Sequence, residues 1–219
     1  TAFLFPGQGA QSVGMGAELA ATLPAVRELF DRSASILGYD LLKLCVEGPI
    51  EELTRSCNTQ PAIFVVSAAA RAALAHFAGG KLSVAGAAGL SSGEWAALYE
   101  AGVVSFLDVV RILRARGQFM QEACEATPGG MLTIIGLTLD KVQDVAKTSG
   151  LEVANLNSPV QTVLSGHVDR IAAGEAACPK ASPGKAETRR AARPARRMVN
   201  GGMGTSCVSR RLGLAAGGG

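Results

Sequence analysis

The stretch LSVAGAAGLSSGEWAALYEAG, residues 82–102, constrains this chain more than any other. Its first part is small and apolar, carries the β-branched Val84 and reads as a buried strand, while its last part reads as a helix. Between them Gly89-Leu90-Ser91-Ser92-Gly93 has to turn the chain sharply. Strand, glycine-flanked turn, helix is the order of a βα unit in a mostly parallel sheet, so the expected class is α/β. The turn also fits G-x-S-x-G in the context that pattern needs, with Ser91 projected from the top of the sheet and the following backbone N–H groups aimed at any oxyanion formed there. The same residues suit a plain helix cap at Ser91 or Ser92 equally well, because G-x-S-x-G arises readily in a chain rich in Gly, Ser and Ala.

The flanking sequence supplies further elements. AFLF, ended by PGQG, reads as a buried strand running into a turn. Residues 15–37 have helical character restarted near Pro24, and GPIEELTRS repeats that logic with Pro49 at a helix start and Glu51 and Glu52 where the dipole favours acids. QPAIFVVSAAARAALAHF is expected as a helix deep in the core, and SFLDVVRILRARGQFMQEA as an amphipathic one capped by Ser105. Beyond TPGG, the runs MLTIIGL, TLDKVQDVAKTSG, LEVANLNSP and QTVLSGH read as strand, helix, strand, strand, part of a small ferredoxin-like α+β unit that needs another helix and strand to close.

Charge divides the chain. Residues 1–173 carry 12 Lys+Arg against 16 Asp+Glu, a balance of −4, and residues 174–219 carry 9 against 2, a balance of +7. The overall +3 therefore belongs to the tail, and the body has no basic stripe with interleaved aromatics, which speaks against a nucleic-acid partner. The tail, rich in Arg, Ala, Gly and Pro without periodicity, is expected to be disordered. No long apolar run or basic leader points to a membrane or to export, and five widely spaced cysteines without C-x-x-C suggest neither a disulfide framework nor a zinc site. The expected compartment is the cytoplasm, and no metal or organic cofactor is suggested.

Two further features bear on chemistry. On the helix containing Phe106, Val109, Val110, Leu113 and Met120, Arg116 falls at the edge of the apolar stripe while Arg111 and Arg114 point away. A guanidinium there needs an anionic partner, either an acid of the protein in a structural salt bridge or a substrate carboxylate held by the arginine fork. FPGQGAQ, residues 5–11, places two glycines around Gln8 and suits a loop lining a site at the carboxyl end of a strand, or a plain turn. It lacks the spacing and lysine of phosphate loops.

Taken together, FPGQGAQSVGMG, GPIEELTRSCNTQPAIF, GLSSGEWAALYEAGVVSFLDVVRILRARGQFMQEA, GGMLTIIGL and NLNSPVQTVLSGH resemble the malonyl-CoA:acyl carrier protein transacylases, in order and in register over about residues 2–170. The resemblance implies a malonyl transfer for fatty-acid synthesis by a monomer, with malonyl-CoA and acyl carrier protein as partners and coenzyme A entering only as part of the substrate. It implies Ser91 as nucleophile, backbone amides of Gln8 and Ser92 as oxyanion hole, and Arg116 as partner of the malonyl carboxylate. It implies an α/β-hydrolase-like large subdomain, residues 1–122 here, with an inserted ferredoxin-like subdomain, residues 123–173 and incomplete, ahead of the tail at 174–219.

The chain also departs from the family. GLSSGE stands where GHSLGE is more usual, and the histidine expected roughly 110 residues after the serine has no counterpart, since His76 and His167 are the only histidines. A serine hydroxyl needs such a base. His76 reads as a surface residue and His167 as part of a structural turn. The family's last third is missing, and the abrupt change of composition suggests GC-rich coding sequence read out of frame. Three alternatives follow: an inactive fragment of the transacylase, a polyketide-type acyltransferase, and a serine acyl hydrolase, the last disfavoured by Arg116.

Overall fold

The computed structural model describes residues 1–178 in full and residues 187–191 as backbone. Residues 1–126 fall in one compact unit and a second begins at Thr127. In the first, β1 (Ala2–Phe5) pairs in parallel with β2 (Gly86–Gly89), Ala2 opposite Gly86 and Phe5 opposite Gly89. Between them run α1 (Ala17–Thr22), α2 (Pro24–Leu37), α3 (Leu41–Glu47), α4 (Ile50–Thr54) and α5 (Ser56–Phe77), and after β2 come α6 (Gly93–Glu100) and α7 (Phe106–Ala126). Local chemistry sets several boundaries. Pro24 opens α2, where its fixed φ suits a first helical turn, and Asp40 caps α3 by accepting from the Lys43 N–H at 2.8 Å. Ser105 caps α7, accepting from the Asp108 N–H at 3.3 Å and donating to the Asp108 carboxylate at 2.6 Å.

The core of this unit lies among the helices. α5 is buried almost all round from Ser56 to Val65, and Phe64 meets the rings of Tyr99 and Phe106 at 5.7 and 5.3 Å. Phe30, Leu41, Leu53, Val109 and Leu113 complete it with next to no exposure. The strands, by contrast, are not the buried ones expected. Leu4 is 82% exposed, and both strands alternate exposed with half-buried positions. Parallel strands are buried where helices cover both faces, and among the described residues this sheet has two strands. Val84 lies before β2 rather than within it.

The second unit runs β3 (Gly129–Ile135), α8 (Leu139–Ser149), β4 (Glu152–Ser158), β5 (Gln161–His167), α9 (Val168–Ala177) and β6 (Glu187–Ala191). Its sheet has the order β4-β5-β3-β6 with antiparallel neighbours. The helix and strand that such a unit needs to close are thus α9 and β6, and the order β-α-β-β-α-β is that of a ferredoxin-like fold. Leu132, Ile134, Val142, Val145, Leu151, Leu164 and Ile171 form its core.

Two expected boundaries move. α7 continues to Ala126, past residue 122, and α9 continues to Ala177, past residue 173. α9 holds on through small residues: a Cβ on Gly174 would lie 2.5 Å from Leu151 Cδ1 and 3.1 Å from Leu132 Cδ2, so the helix packs directly on those leucines. The strand β6 also falls within the stretch expected to be disordered. The rest of that expectation lies outside the described residues. Among the described residues Cys45, Cys57, Cys124 and Cys178 are free thiols, and no helix is long and apolar enough to cross a membrane.

Candidate active site

At the carboxyl ends of β1 and β2 the chain turns twice in close company. After β2, the N–H groups of Gly93, Glu94 and Trp95 donate to the carbonyls of Leu90, Ser91 and Ser92 at 2.9, 3.2 and 3.3 Å, so successive tight turns lead from Leu90 into α6, which starts at Gly93. The N–H groups of Ser91 and Ser92 lie just ahead of α6, at its electropositive N-terminal end. Ser91 has φ of 53°, in the left-handed region and the one positive φ of a non-glycine residue among those described. Such strain persists only where the surroundings impose it.

Glycines impose it here. A Cβ on Gly89 would lie 2.0 Å from the Gly93 carbonyl group, and one on Gly93 would lie 2.4 Å from the Phe5 carbonyl oxygen. One on Gly7 would meet the Leu90 oxygen at 2.5 Å. The glycines therefore let the loop after β1 and the turn after β2 touch, with Gly7 against Leu90 and Ser91. Gln8, next in that loop, exchanges hydrogen bonds with the Ser56 hydroxyl, its Nε2 at 3.2 Å and its Oε1 at 3.4 Å.

The two serines divide their roles differently from helix caps. Ser92 sits at the N-cap position of α6 yet its side chain makes no cap bond, and its buried Oγ has no partner among the described residues. The exposed Ser91 hydroxyl instead accepts from Arg116 Nη2 at 3.0 Å. Arg116 Nη1 donates to Gln60 Oε1 at 2.5 Å. Gln60 is fully buried on α5, and its Nε2 approaches Met120 Sδ at 3.2 Å. Among the described residues Arg116 pairs with no carboxylate, so the structural salt bridge weighed from the sequence does not form. A half-buried guanidinium with only neutral partners beside Ser91 is a ready receptor for an anion.

Arg111 and Arg114 do point away, Arg111 to Asp108 at 2.8 Å and Arg114 to the Ile36 carbonyl. Neither histidine bonds to Ser91. His76 is exposed in the last turn of α5 with its ring against Phe77, and His167 precedes α9, accepting from the Asp169 N–H at 3.4 Å.

Gln60 was not singled out in the sequence, although the signal was there. It is a polar side chain inside a run otherwise built for burial, and a buried amide must find partners.

Comparison with known proteins gives these residues a context. Residues 2–191 match the family described as acyl transferase domain. The chain is 44% identical over 189 residues to the malonyl CoA-acyl carrier protein transacylase of Salmonella typhimurium, covering 84% of this chain and 60% of that protein. It superposes on an acyl carrier protein S-malonyltransferase of Vibrio cholerae with a TM-score of 0.74 at 35% identity, covering 86% of this chain and 62% of that one. A malonyl-transacylase solved in complex with its type II polyketide acyl carrier protein gives a TM-score of 0.75 at 37% identity, with the same shares covered. The chain spans about 60% of the length of the Salmonella relative. With a family match over residues 2–191, most of its length, the chain belongs to the acyl transferase domain family.

Proposed function

We propose that this chain carries the acylation site of a malonyl transferase, moving a malonyl group from malonyl-CoA to the phosphopantetheine thiol of acyl carrier protein in fatty-acid synthesis. The observation that carries the reading is the guanidinium of Arg116, free of any carboxylate of the described chain and 3.0 Å from Ser91 Oγ. An acyl thioester whose far end is a carboxylate would place that end on Arg116 and its carbonyl carbon near Ser91. A simple serine hydrolase with apolar acyl chains has no use for such a charge.

In the first half-reaction Ser91 Oγ bonds to the thioester carbonyl carbon, the C–S bond breaks and the coenzyme A thiol leaves with a proton. In the second, the carrier thiol attacks the seryl ester and Ser91 regains its proton. The developing oxyanion would be met by the N–H of Ser92, at the N-terminal end of α6, and by that of Gln8 in the adjoining loop. No resident cofactor is needed. The proton of Ser91 needs an acceptor, and among the described residues no histidine supplies one. That observation favours a second reading, a transferase site without turnover.

Intact-mass measurement of the 219-residue chain after incubation with malonyl-CoA separates the two. An added malonyl group, lost in Ser91→Ala and strongly reduced in Arg116→Ala, supports the transferase. A folded chain that gains no mass supports the inert site.

A further inference from the structure

α5 begins in an unusual way. The residue before it, Arg55, offers no side-chain cap, and the N–H of Ser56, one of the donors that a helix start leaves open, instead finds Gln121 Oε1 at 3.2 Å. Gln121 lies on α7, 65 residues away, is 3% exposed, and is itself steadied by Glu125, which accepts from its Nε2 at 2.8 Å. The two helices meet at that point: a Cβ on Gly117 would lie 2.4 Å from the Ser56 carbonyl oxygen and 2.8 Å from Cys57 Cα. Ser56 is thus gripped by α7 through its backbone on both sides, and its hydroxyl is left for Gln8. A second tether, from Gln11 Nε2 to Thr54 Oγ1 at 3.4 Å, ties the same loop to the end of α4, and Gln11 Oε1 accepts from the Gly9 N–H at 2.8 Å.

We propose that Ser56 is a positioning residue for acyl transfer: its hydroxyl holds the Gln8 side chain and so sets where the Gln8 backbone N–H lies beside Ser91, with Gln121 fixing Ser56 on α7. The inference rests on the acyl-transfer reading, because the placement of that N–H matters only where an oxyanion forms at Ser91. α7 then serves as a common reference for both ends of the acyl group. Arg116 stands on it directly, and the Gln8 loop is referred to it through Ser56 and Gln121. A glycine loop with positive φ at Gly9 has little stiffness of its own, so tethers to a helix are what would hold an amide to the few tenths of an ångström that oxyanion stabilisation requires.

The test uses the full chain as wild type, Ser56→Ala and Ser56→Thr, the last keeping the hydroxyl. Two quantities are read: the rate at which Ser91 gains mass from malonyl-CoA and from acetyl-CoA, and amide hydrogen exchange over residues 6–11 with residues 93–100 as internal reference. Ser56→Ala is expected to slow acylation by both thioesters by the same factor, about tenfold, as loss of precision at an oxyanion donor would. The thioester concentration giving half-maximal rate should stay unchanged. Exchange over residues 6–11 should rise while residues 93–100 keep theirs, and Ser56→Thr should restore rate and protection together. Unchanged exchange over residues 6–11 in Ser56→Ala overturns the proposal, as does a slowing that differs between malonyl and acetyl groups. If wild type gains no mass, the acyl-transfer reading fails, and the exchange measurement still decides whether Ser56 holds the Gln8 loop.

Discussion

Ser91 and Arg116 lie 25 positions apart and meet because each is held in place by its neighbours. For Ser91 these are the glycines that let a left-handed residue stand between β2 and α6. For Arg116 it is Gln60, whose acceptor oxygen takes Nη1 and leaves Nη2 for Ser91. Gln60→Leu is close in volume but removes that acceptor, so Arg116 loses the contact that orients it. On the proposed malonyl transfer, the preference for malonyl-CoA over acetyl-CoA in labelling Ser91 should then fall about tenfold, the equivalent of ~1.4 kcal/mol. An unchanged ratio would mean that Arg116 finds its place without Gln60. The asymmetry between these residues also explains what the sequence could reveal. Ser91 and Arg116 announce themselves locally, by a turn pattern and by a break in a helical stripe. Gln60, Ser56 and Gln121 gain their meaning from partners 56, 48 and 65 residues away, which no local pattern encodes.

α7 is the element on which the site depends most, and its start is held by surface electrostatics. The Ser105 hydroxyl, and after it the Arg111 guanidinium, hold the Asp108 carboxyl below the usual carboxylate range. A carboxyl with a lowered pKa in the folded chain contributes stability that is fully present above its unfolded value, about 3.9, and is lost as pH falls through the folded value. Ser105→Ala removes the larger cause, so Asp108 should titrate at higher pH, nearer its ordinary value, and the first turn of α7 should begin to fray at correspondingly milder acidity. Side-chain carboxyl carbon shifts followed through an acid titration measure this directly, and identical midpoints in wild type and variant would show that Ser105 does not act on Asp108. Ser105 was readable as a cap because the helix it starts is strongly amphipathic. α9 and β6 were not readable, since a helix anchored through Gly174 and a strand of Glu, Thr, Arg and Ala present no large apolar stripe.

For the large unit, the distribution of burial decides where stability resides. Four-residue apolar runs identified β1 correctly as a strand, but an apolar run says nothing of what covers it, and Leu4 stands 82% exposed while Phe64 on α5 is 2% exposed. Two parallel strands alone bury too little to be stable independently, so the sheet must borrow its order from the helices: Gly93 of α6 packs on the Phe5 carbonyl, and the loop after β1 is tethered to α4 and α5. Substitutions in the two places should therefore differ sharply. Phe64→Ala empties the contact among Tyr99, Phe106 and their neighbours and should cost about 3–5 kcal/mol. Leu4→Ser should change stability by no more than about 0.5 kcal/mol, as surface substitutions do. Urea unfolding followed by the fluorescence of Trp95, the chain's one tryptophan and part of the fringe of this same core, reports both. A large loss for Leu4→Ser would show that β1 is covered in solution by something beyond the described residues, and the sheet rather than the helices would then be the seat of the unit's stability.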